Sequence, residues 1–435
     1  MKSGNLLGLG FMSPALVMVV AFFLAPVILT IAFAFTNMST ATGITGGFYE
    51  VTPTVLTRLK DQSFDPALIE KLGNSQYVIS ESGLESLANE GQFADLAKEM
   101  KTNLLGQSFK DRRSLERAIK KLKNKPRKIR DVKLAAEHFK QSILNTPYET
   151  EIALQSALSG IDLTLQKSDF DVLKTNAYTG WTWTTQNFEI MFDLPATWRI
   201  AGNTLLYVTA TLSFNVIFGL FLAISTFYLP ALQASTFRTI WFLPRILPPV
   251  IYILMWKWMT WDTGFIANFL AMFGVPPKNW MLDTNLHAWV VIILINGFVG
   301  ASMGMILFSS AIRAIPASLL YASEVDGASR WQQVRHIILP QLRWPILFIT
   351  SYQTLSLLTS FEFIYLSTDG GPGKATEVWA LSAFHAALNN YGGNLQYGYG
   401  AALALVLVII GISASLLYLR LFNFKELVSA PKIEQ

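Results

Sequence analysis

Six long apolar runs dominate the pattern of hydrophobic and polar positions along the chain. A hydrocarbon core about 30 Å thick needs roughly 20 mostly apolar residues in a helix, and each run is long enough. The runs cover residues 11–35, 200–227, 240–261, 288–312, 346–366 and 399–419. The pattern therefore predicts an all-α integral membrane protein with six transmembrane helices.

A long polar region separates the first apolar run from the second. Residues 50–185 hold 20 of the 34 Lys and Arg residues and 18 of the 29 Asp and Glu residues. Short amphipathic segments broken by Gly and Pro predict a mixed, mostly helical domain inserted between the two runs. The predicted domains are an N-terminal tail with the first helix at 1–36, an insert at 37–185 and a five-helix membrane core at 186–435.

The composition agrees with a membrane protein. Of 435 residues, 52% are hydrophobic and 14% are charged, which is too apolar for an ordinary soluble protein. The chain contains no cysteine, which excludes disulfides, thiolate metal ligands and cysteine nucleophiles. A basic stretch at 110–131 could suggest nucleic-acid binding, but a solvated helix pair split at Pro126 is the simpler interpretation.

The distribution of basic residues predicts which side of the membrane each loop occupies. With the N-terminus in the cytosol, nine Lys and Arg residues fall in short cytosolic segments and two in short outer loops. The cytosolic nine are Lys2, Arg238, Arg313, Arg330, Arg335, Arg343, Arg420, Lys425 and Lys432, and the outer two are Lys278 and Lys374. The count predicts that both termini are cytosolic and the insert is extracytosolic. A cleaved signal peptide is the alternative for 11–35, but this run is longer than a signal core and no A-x-A site follows it.

One cytosolic segment, SEVDGASRWQQVRHIILP at 323–340, has the sequence of two short helices joined by a sharp turn. Gly327 supplies a permissive backbone that ends the first helix. Ser329 and Gln332 have the spacing of a capping box at the start of the second helix. Pro340 is expected to end that helix because it has no N–H to donate. The local sequence leaves open whether this segment projects into the cytosol or lies on the membrane surface.

The same segment resembles the cytoplasmic loop of binding-protein-dependent ABC importer permeases, written E-A-A, three residues, G, nine residues and I-x-L-P. In that family the loop docks on an ATPase subunit, so the resemblance implies a coupling loop at 314–341. The residues implied in this docking are Tyr321, Ala322, Ser323, Glu324, Asp326, Gly327 and Ala328. Tyr321 stands where the motif usually has its first Glu, and Glu324 offers a carboxylate from a different face of the helix.

Other stretches are similar to the carbohydrate-importer permeases of the same family. They are residues 13–37, NTLLYV at 203–208, FLPRILPPVIYILMWKW at 242–258, AIRAIP at 311–316 and TDGGPGKAT at 368–376. The resemblance implies the type I ABC importer fold in a bacterial inner membrane. It is strongest to the larger permease subunit of maltose-type transporters, which also carries a large extracytosolic domain at this place.

The resemblance further implies a substrate pathway through the fourth and fifth predicted helices. Asn296 and Gly300 lie about one helical turn apart and match a sugar-contacting Asn and Gly, with space beside the glycine for hydroxyl groups of a solute. Gln353 matches a polar position and either lines the pathway or bridges helices, whereas Met303 stands where that permease has Tyr. For Glu362, two roles stay open: contact with the solute, or an ion pair with a basic residue of a partner subunit.

Two basic residues lie within the third predicted helix, Arg245 and Lys257. Long basic side chains bury their apolar stems and extend their charged heads to the polar interface. We therefore expect these two residues to reach opposite membrane interfaces rather than to line the pathway.

Together these features predict the permease subunit of an ABC importer that forms half of the pathway for a sugar, oligosaccharide or polyol. No G-x-x-x-x-G-K-[ST] loop is present, so the chain is predicted to be non-catalytic and to bind no cofactor itself. The implied partners are a second permease subunit, two ATPase subunits that use ATP and Mg, an extracytosolic solute-binding protein and membrane lipid, with no nucleic acid.

Three other functions would each make their own demand on the sequence. An importer of glycerol phosphate-type solutes would have the same architecture. An ion-coupled secondary transporter would need intramembrane acids or an inverted repeat, and Glu362 is the one acid well inside a predicted helix. A membrane enzyme would need a catalytic cluster, but His138, His287, His336 and His385 lie in unrelated segments without metal-ligand spacing.

Overall fold

Two compact units make up the computed structural model, which describes residues 3–421 apart from 63, 74–75, 162, 164 and 391. One unit, the membrane unit, joins the described residues up to Thr40 to those from Thr182 onward. The other unit, the insert, is Ala41–Trp181. Both are mostly helical.

The first apolar run forms one long helix with a wider turn in its middle. α1 spans Ser3–Val19, a π-helical turn spans Val20–Leu24 and α2 spans Ala25–Ala34. In the wide turn, the N–H of Ala25 bonds to the carbonyl five residues back. Pro26 has no N–H, and in a regular helix its ring would clash with the carbonyl four residues back. The wider turn therefore lets the helix continue past this proline.

Short helices and very short strands make up the insert. The helices are α3 Pro53–Asp61, α4 Pro66–Gly73, α5 Glu81–Asn89, α6 Ala94–Leu104, α7 Arg112–Ile119, α8 Ile129–Glu137, α9 Glu151–Gly160 and α10 Lys167–Ala177. The strands are β1 Tyr49–Glu50, β2 Gln76–Val78, β3 Ser108–Phe109, β4 Lys140–Gln141 and β5 Pro147–Tyr148. β1 pairs with β5, and β2 lies between β3 and β4, with every pair antiparallel.

Two separate hydrophobic clusters hold the insert together. The first lies among α5, α6, α7 and α8 and includes Leu87, Met100 and Leu115, which are fully buried. The second lies among α3, α4, α9 and α10 and includes Leu59 and Leu154, also fully buried. Each cluster removes apolar side chains from water, which is the main driving force for folding in a soluble environment.

The basic stretch at 110–131 forms α7 and α8, with Pro126 in the connection between them. Arg112 joins the two helices, because its guanidinium lies 3.1 Å from a carboxylate oxygen of Glu116 and 3.1 Å from one of Glu137. Most of the other basic side chains are exposed. This arrangement is the solvated helix pair that the sequence predicts.

The remaining helices of the membrane unit follow the insert in sequence. They are α11 Gln186–Asp193, α12 Pro195–Phe227, α13 Ala231–Ile246, α14 Pro249–Thr260, α15 Phe265–Ala271, α16 Asn285–Arg313, α17 Ala317–Val325, α18 Arg330–Gln333, a π-helical turn at Val334–Ile338, α19 Leu339–Gln341, α20 Arg343–Thr359, α21 Glu362–Ser367, α22 Trp379–Ala387 and α23 Tyr397–Leu421. α12 packs along α16. Their backbones approach closely at two glycines, since a Cβ added to Gly219 would lie 3.2 Å from the Cα of Gly304.

Four helices in the described part of the chain are long and apolar enough to cross a membrane. They are Phe11–Ala34, Pro195–Phe227, Asn285–Arg313 and Tyr397–Leu421, and each coincides with a predicted span. A fifth candidate is a bent pair, in which the chain turns by 98° between α13 and α14. The bend falls at Pro248 and Pro249, because the residue before a proline is disfavoured in the helical conformation.

The predicted span at 346–366 is not one continuous helix. α20 ends at Thr359 and α21 begins at Glu362, with Ser360 in an extended conformation between them. No Gly or Pro marks this break in the sequence. The mostly helical architecture with several membrane-length helices is confirmed, whereas the total of six transmembrane helices stays a prediction.

Candidate functional site

A polar cavity of about 290 Å³ lies among α12, α16, α20 and the bend between α13 and α14. Its polar lining residues are Asn215, Asn296, Gln353, Ser356 and Ser360, and its aromatic ones are Tyr252, Tyr352 and Phe363. Arg245 also lines it, together with Leu247, Pro249, Val299, Gly300, Met303 and Leu357. A few polar groups among aromatic and apolar side chains are typical of a small-molecule site.

The cavity lies well away from one end of each of two helices that line it, α16 and α20. Met303 stands ten residues before Arg313, where α16 ends, and Gln353 stands ten residues after Arg343, where α20 begins. With a rise of 1.5 Å per residue, both side chains are roughly 15 Å from those helix ends. That distance is about half of a 30 Å hydrocarbon core.

The structure brings four of the five predicted pathway residues to this cavity. Asn296, Gly300 and Met303 come from α16, and Gln353 comes from α20. Glu362 is not among the lining residues. It is exposed in the first turn of α21, beyond the break that follows α20.

Buried amides connect the three helices around the cavity. Asn215 Nδ2 on α12 donates to Gln353 Oε1 at 2.7 Å, and Gln353 Nε2 donates to the carbonyl of Gly300 at 3.4 Å. Asn296 Nδ2 donates to the hydroxyl of Tyr207 at 2.8 Å. Asn215 Oδ1 is buried and accepts no hydrogen bond within the part of the chain that the structure describes. The network thus stabilises helix packing and also leaves an acceptor without a protein donor.

The space beside Gly300 is filled by a side chain of the same protein. A Cβ at Gly300 would lie 2.4 Å from Asn215 Nδ2 and 2.6 Å from Asn215 Oδ1. The sequence-based expectation was that this space admits hydroxyl groups of the solute. In the structure, the glycine instead lets an amide of α12 approach α16. Asn215 was not identified from the sequence, because only packing shows which face of α12 meets Gly300.

Like Asn215, Arg245 lines the cavity although the sequence did not predict it there. It lies in the last turn of α13, and its side chain is exposed on the cavity. Its Nη2 is 3.3 Å from the sulfur of Met303. Arg245 was expected not to line the pathway, and in the structure it lines the cavity. An ionisable residue inside an apolar run is itself the signal that could have identified it. Lys257 contacts the carbonyl of Leu366 at 3.5 Å and does not line the cavity.

The segment at 317–341, which is predicted to be cytosolic, forms the predicted helix, turn and helix, and we call it the elbow. α17 ends at Val325, and Gly327 follows with φ +78°, a conformation that favours glycine. The backbone N–H of Ser329 donates to Gln332 Oε1 at 2.7 Å, and the Gln332 N–H donates back to the Ser329 hydroxyl at 3.4 Å. The predicted capping box and turn are confirmed.

Pro340 does not end the second helix, so that prediction is wrong. The stretch from α18 through α19 is continuous, with a π-helical turn at Val334–Ile338. The N–H of Leu339 bonds to the carbonyl five residues back, and Pro340 follows it. The wide turn accommodates the missing N–H, as it does at Pro26.

The predicted coupling residues differ in exposure. Tyr321, Ala322, Glu324, Asp326 and Gly327 are exposed, whereas Ser323 and Ala328 are half-buried. Ser323 is held inside the elbow, because its hydroxyl donates to the carbonyl of Leu320 at 2.7 Å and accepts from Gln333 Nε2 at 3.0 Å.

Three large apolar side chains of the elbow, those of Tyr321, Val325 and Trp331, are exposed, and we call them the patch. The exposed fractions are 88% for Val325, 69% for Trp331 and 66% for Tyr321. Val334 and Ile338 of the elbow are instead buried, in one hydrophobic cluster with Phe308 and Ile312 of α16. Tyr321 and Val325 lie four residues apart and therefore on one face of α17. Isolated exposed apolar residues are common, but several on one short segment are typical of an interaction surface.

A buried glutamine fixes the elbow to the end of α12. Gln333 is 3% exposed, and its Oε1 accepts a hydrogen bond from the hydroxyl of Tyr228 at 3.3 Å. The guanidinium carbon of Arg330 lies 5.2 Å from the centre of the Tyr228 ring. These contacts were missed from the sequence, because Tyr228 is over a hundred residues away along the chain.

The predicted outer loop at 368–376 is held by side-chain contacts. The hydroxyls of Thr368 and Thr376 lie 2.9 Å apart, and His385 Nε2 is 2.9 Å from a carboxylate oxygen of Asp369. His385 Nδ1 is 3.5 Å from Glu377 Oε1. Hydrogen bonding to Glu377, with a further contribution from Asp369, raises the pKa of His385. Burial acts to raise the pKa of Glu377, but His385 and the nearby Lys374 hold it below its usual range.

Two comparisons identify the family. The family model described as "binding-protein-dependent transport system inner membrane component" matches residues 215–423. A probable ABC transporter permease of Pyrococcus horikoshii is 32% identical over 229 residues, which are 52% of this chain and 76% of that protein. The chain belongs to the family of ABC transporter permeases.

Other relatives of this permease carry sugar names. The trehalose/maltose transport system permease of Thermococcus litoralis is 30% identical over 43% of this chain and 62% of its own length. The lactose transport system permease of Rhizobium radiobacter is 29% identical over 46% of this chain and 67% of its own length. A solved bacterial alginate ABC transporter, in complex with an alginate-pentasaccharide-bound periplasmic protein, has a chain with the same fold. The TM-score is 0.50 at 22% identity, over 54% of this chain and 81% of that one.

Among the described residues of this permease, no group of three or more His, Asp or Glu side chains is arranged to hold a metal ion. The polar cavity offers amides, hydroxyls, aromatic rings and one guanidinium. These groups hydrogen-bond and pack against a solute but supply no nucleophile with an adjacent base.

Proposed function

We propose that the permease forms half of the translocation pathway of an ABC importer for a sugar or oligosaccharide. The observation that carries this proposal is the polar and aromatic cavity, which is lined by residues well inside α16 and α20. Amide and hydroxyl groups such as those of Gln353 and Ser356 match sugar hydroxyls, and the rings of Tyr252 and Tyr352 match the apolar faces of sugar rings. The sugar names of several relatives support the same solute class.

The proposed topology places both termini in the cytosol and the insert outside the cell membrane. The excess of basic residues in the short cytosolic segments supports it. The insert is a compact unit with hydrophobic clusters of its own, as expected of a domain that folds in water. An extracytosolic solute-binding protein would deliver the solute on this side, and we propose that the insert contacts it.

The elbow is the proposed coupling element. Its exposed patch, with Tyr321, Val325 and Trp331, fits a hydrophobic groove of a cytosolic ATPase subunit. The contacts of Gln333 and Tyr228 would transmit a movement of the elbow to α12, which lines the cavity. In this proposal, two ATPase subunits bind ATP and Mg, a second permease completes the pathway, and this chain itself is non-catalytic.

Replacing Asn296 tests the pathway in the assembled transporter. Asn296→Ala and Tyr207→Phe both remove the hydrogen bond between these residues, but only Asn296 lines the cavity. Losing one hydrogen bond typically costs about 0.5–1.5 kcal/mol, so a solute contact is worth several-fold in uptake. We expect Asn296→Ala to lower ATP-dependent uptake of labelled sugar several-fold more than Tyr207→Phe.

ATP hydrolysis by the assembled complex should persist in both variants, because the elbow is unchanged. Equal uptake by the two variants would show that Asn296 acts in helix packing alone. If the unmodified complex, reconstituted with its binding protein, takes up no sugar in the presence of ATP, the proposed function is wrong.

A further inference from the structure

Arg245 holds a charge near the middle of the membrane unit. It is fourteen residues from Ala231, where α13 begins, which corresponds to roughly 21 Å along the helix. Immediately after it the chain turns by 98° into α14, and Pro248 and Pro249 fix the backbone of that bend. The guanidinium is therefore held at the cavity by a rigid corner.

No acidic residue balances this charge within the described part of the chain. Arg245 forms no ion pair with a described carboxylate, and it is the one charged residue among those that line the cavity. Its contact with the sulfur of Met303 at 3.3 Å supplies a weak acceptor without charge. An arginine stays protonated at any physiological pH, so the charge persists.

The helix end compensates only part of the charge. Arg245 lies in the last turn of α13, where the helix dipole contributes about half of a negative elementary charge. Glu362 lies outside the cavity lining, and no ion pair joins it to Arg245. An ionisable group in this position is costly unless it meets an opposite charge, so a function is the default interpretation.

We propose that Arg245 binds an anionic group of the solute, so that the transported sugar carries a carboxylate or sulfonate. The planar guanidinium donates two parallel hydrogen bonds to either group. No lining residue of this chain is acidic, so nothing in the described cavity repels an anion. The neutral groups of Ser356, Ser360 and Tyr352 remain for the hydroxyls of the same sugar. This inference rests on the proposed function, since it names the solute class of that cavity.

The test is uptake by the complete transporter in proteoliposomes. The probes are a labelled aldobiouronic acid, a sulfonated sugar and the neutral disaccharide with the same linkage as the uronic acid. We expect the unmodified complex to take up an acidic probe in the presence of ATP. Arg245→Gln should lower this uptake at least tenfold. Arg245→Lys should lower it less, because lysine keeps the positive charge but lacks the two parallel N–H donors of a guanidinium. Lys257→Gln is the matched control, because Lys257 belongs to the same bent pair but lies outside the cavity.

Each outcome separates this inference from the proposed function. Uptake of neutral sugar alone, with Arg245→Gln equal to the unmodified complex, would overturn the anionic solute and leave the sugar pathway intact. Uptake of neutral sugar alone that is lost in Arg245→Gln would also overturn it, and would assign Arg245 to hydroxyl contacts or to a carboxylate of the second permease. Absence of ATP-dependent uptake of any sugar would instead contradict the proposed function itself. An equal loss of acidic uptake in Lys257→Gln would assign the effect to helix packing.

Discussion

At the scale of single residues, Asn215 explains why position 300 is glycine. A buried amide in a membrane must find partners within the protein, and Asn215 donates to Gln353 at 2.7 Å. This position is reachable because Gly300 has no Cβ, which would otherwise lie 2.4 Å from Asn215 Nδ2. The same polar residues therefore serve helix packing and the cavity. A substitution at Gly300 acts on packing before it acts on the solute.

A pair of substitutions separates packing from transport. Gly300→Ala should destabilise the purified complex, since overpacking typically costs about 1–3 kcal/mol. Combining it with Asn215→Ala removes the atoms that the new methyl group meets. We expect the double variant to have a higher Tm than Gly300→Ala alone, which is a non-additive effect. Tm values that add independently would show that the two residues are not in contact.

His385 makes the loop at 368–376, which is predicted to lie on the outer side, sensitive to pH. Its pKa is raised by Glu377 and Asp369, so its contribution to loop stability is fully present below about pH 6.5, its ordinary pKa. The contribution is lost as pH rises through the raised value. Hydrogen exchange of residues 368–376, corrected for intrinsic rates, should therefore show stronger protection at pH 5.5 than at pH 8.5. His385→Gln should remove this difference, whereas His287→Gln, also predicted to lie on the outer side, should leave it.

At the scale of helices, local sequence rules succeed where the cause is local. The capping box of Ser329 and Gln332 was predicted because both partners lie within one turn. Pro340 was misjudged, because a π-helical turn directly upstream removes the need for its N–H. A π-helical turn of the same kind ends two residues before Pro26, as the other ends two residues before Pro340. The break after Thr359 has no signal in the sequence, and its surroundings include the stack of Phe361 on Phe384 at 4.8 Å.

Charged substitutions in the elbow patch test its role as a docking surface. Val325→Asp and Trp331→Asp place a carboxylate where we propose an apolar contact with the ATPase. Both side chains are exposed, so the folded membrane unit should tolerate the change. We expect co-purification of the ATPase subunits to fall at least tenfold while the permease still inserts in the membrane. His336→Asp, on an exposed face outside the patch, is the control with the same new charge. Undiminished ATPase binding by both patch variants would contradict the coupling role.

At the scale of the whole molecule, the helices that the sequence identifies do not by themselves specify the cavity. Asn296 and Gly300 lie about one turn apart on one helix, and the family resemblance assigned these two residues, Met303 and Gln353 to the pathway. Arg245 comes from a different helix, and the bend that brings it to the cavity depends on tertiary packing. Long-range contacts of this kind carry no local signal, which is why the lining was predicted only in part. The charge count along the chain, in turn, predicts the orientation of the helices in the membrane, which their packing alone does not specify.

Single cysteines test that orientation directly, because the natural chain contains none. Lys123→Cys lies at an exposed position of the insert, and Arg335→Cys lies at an exposed position of the elbow. With the insert outside, a membrane-impermeant thiol reagent should label Cys at 123 in intact spheroplasts and Cys at 335 only after lysis. Each variant serves as the control for the other, since both sites are accessible once the membrane is opened. The reverse pattern would place the elbow outside, where no ATPase could reach it, and would therefore contradict the topology and the coupling proposal together.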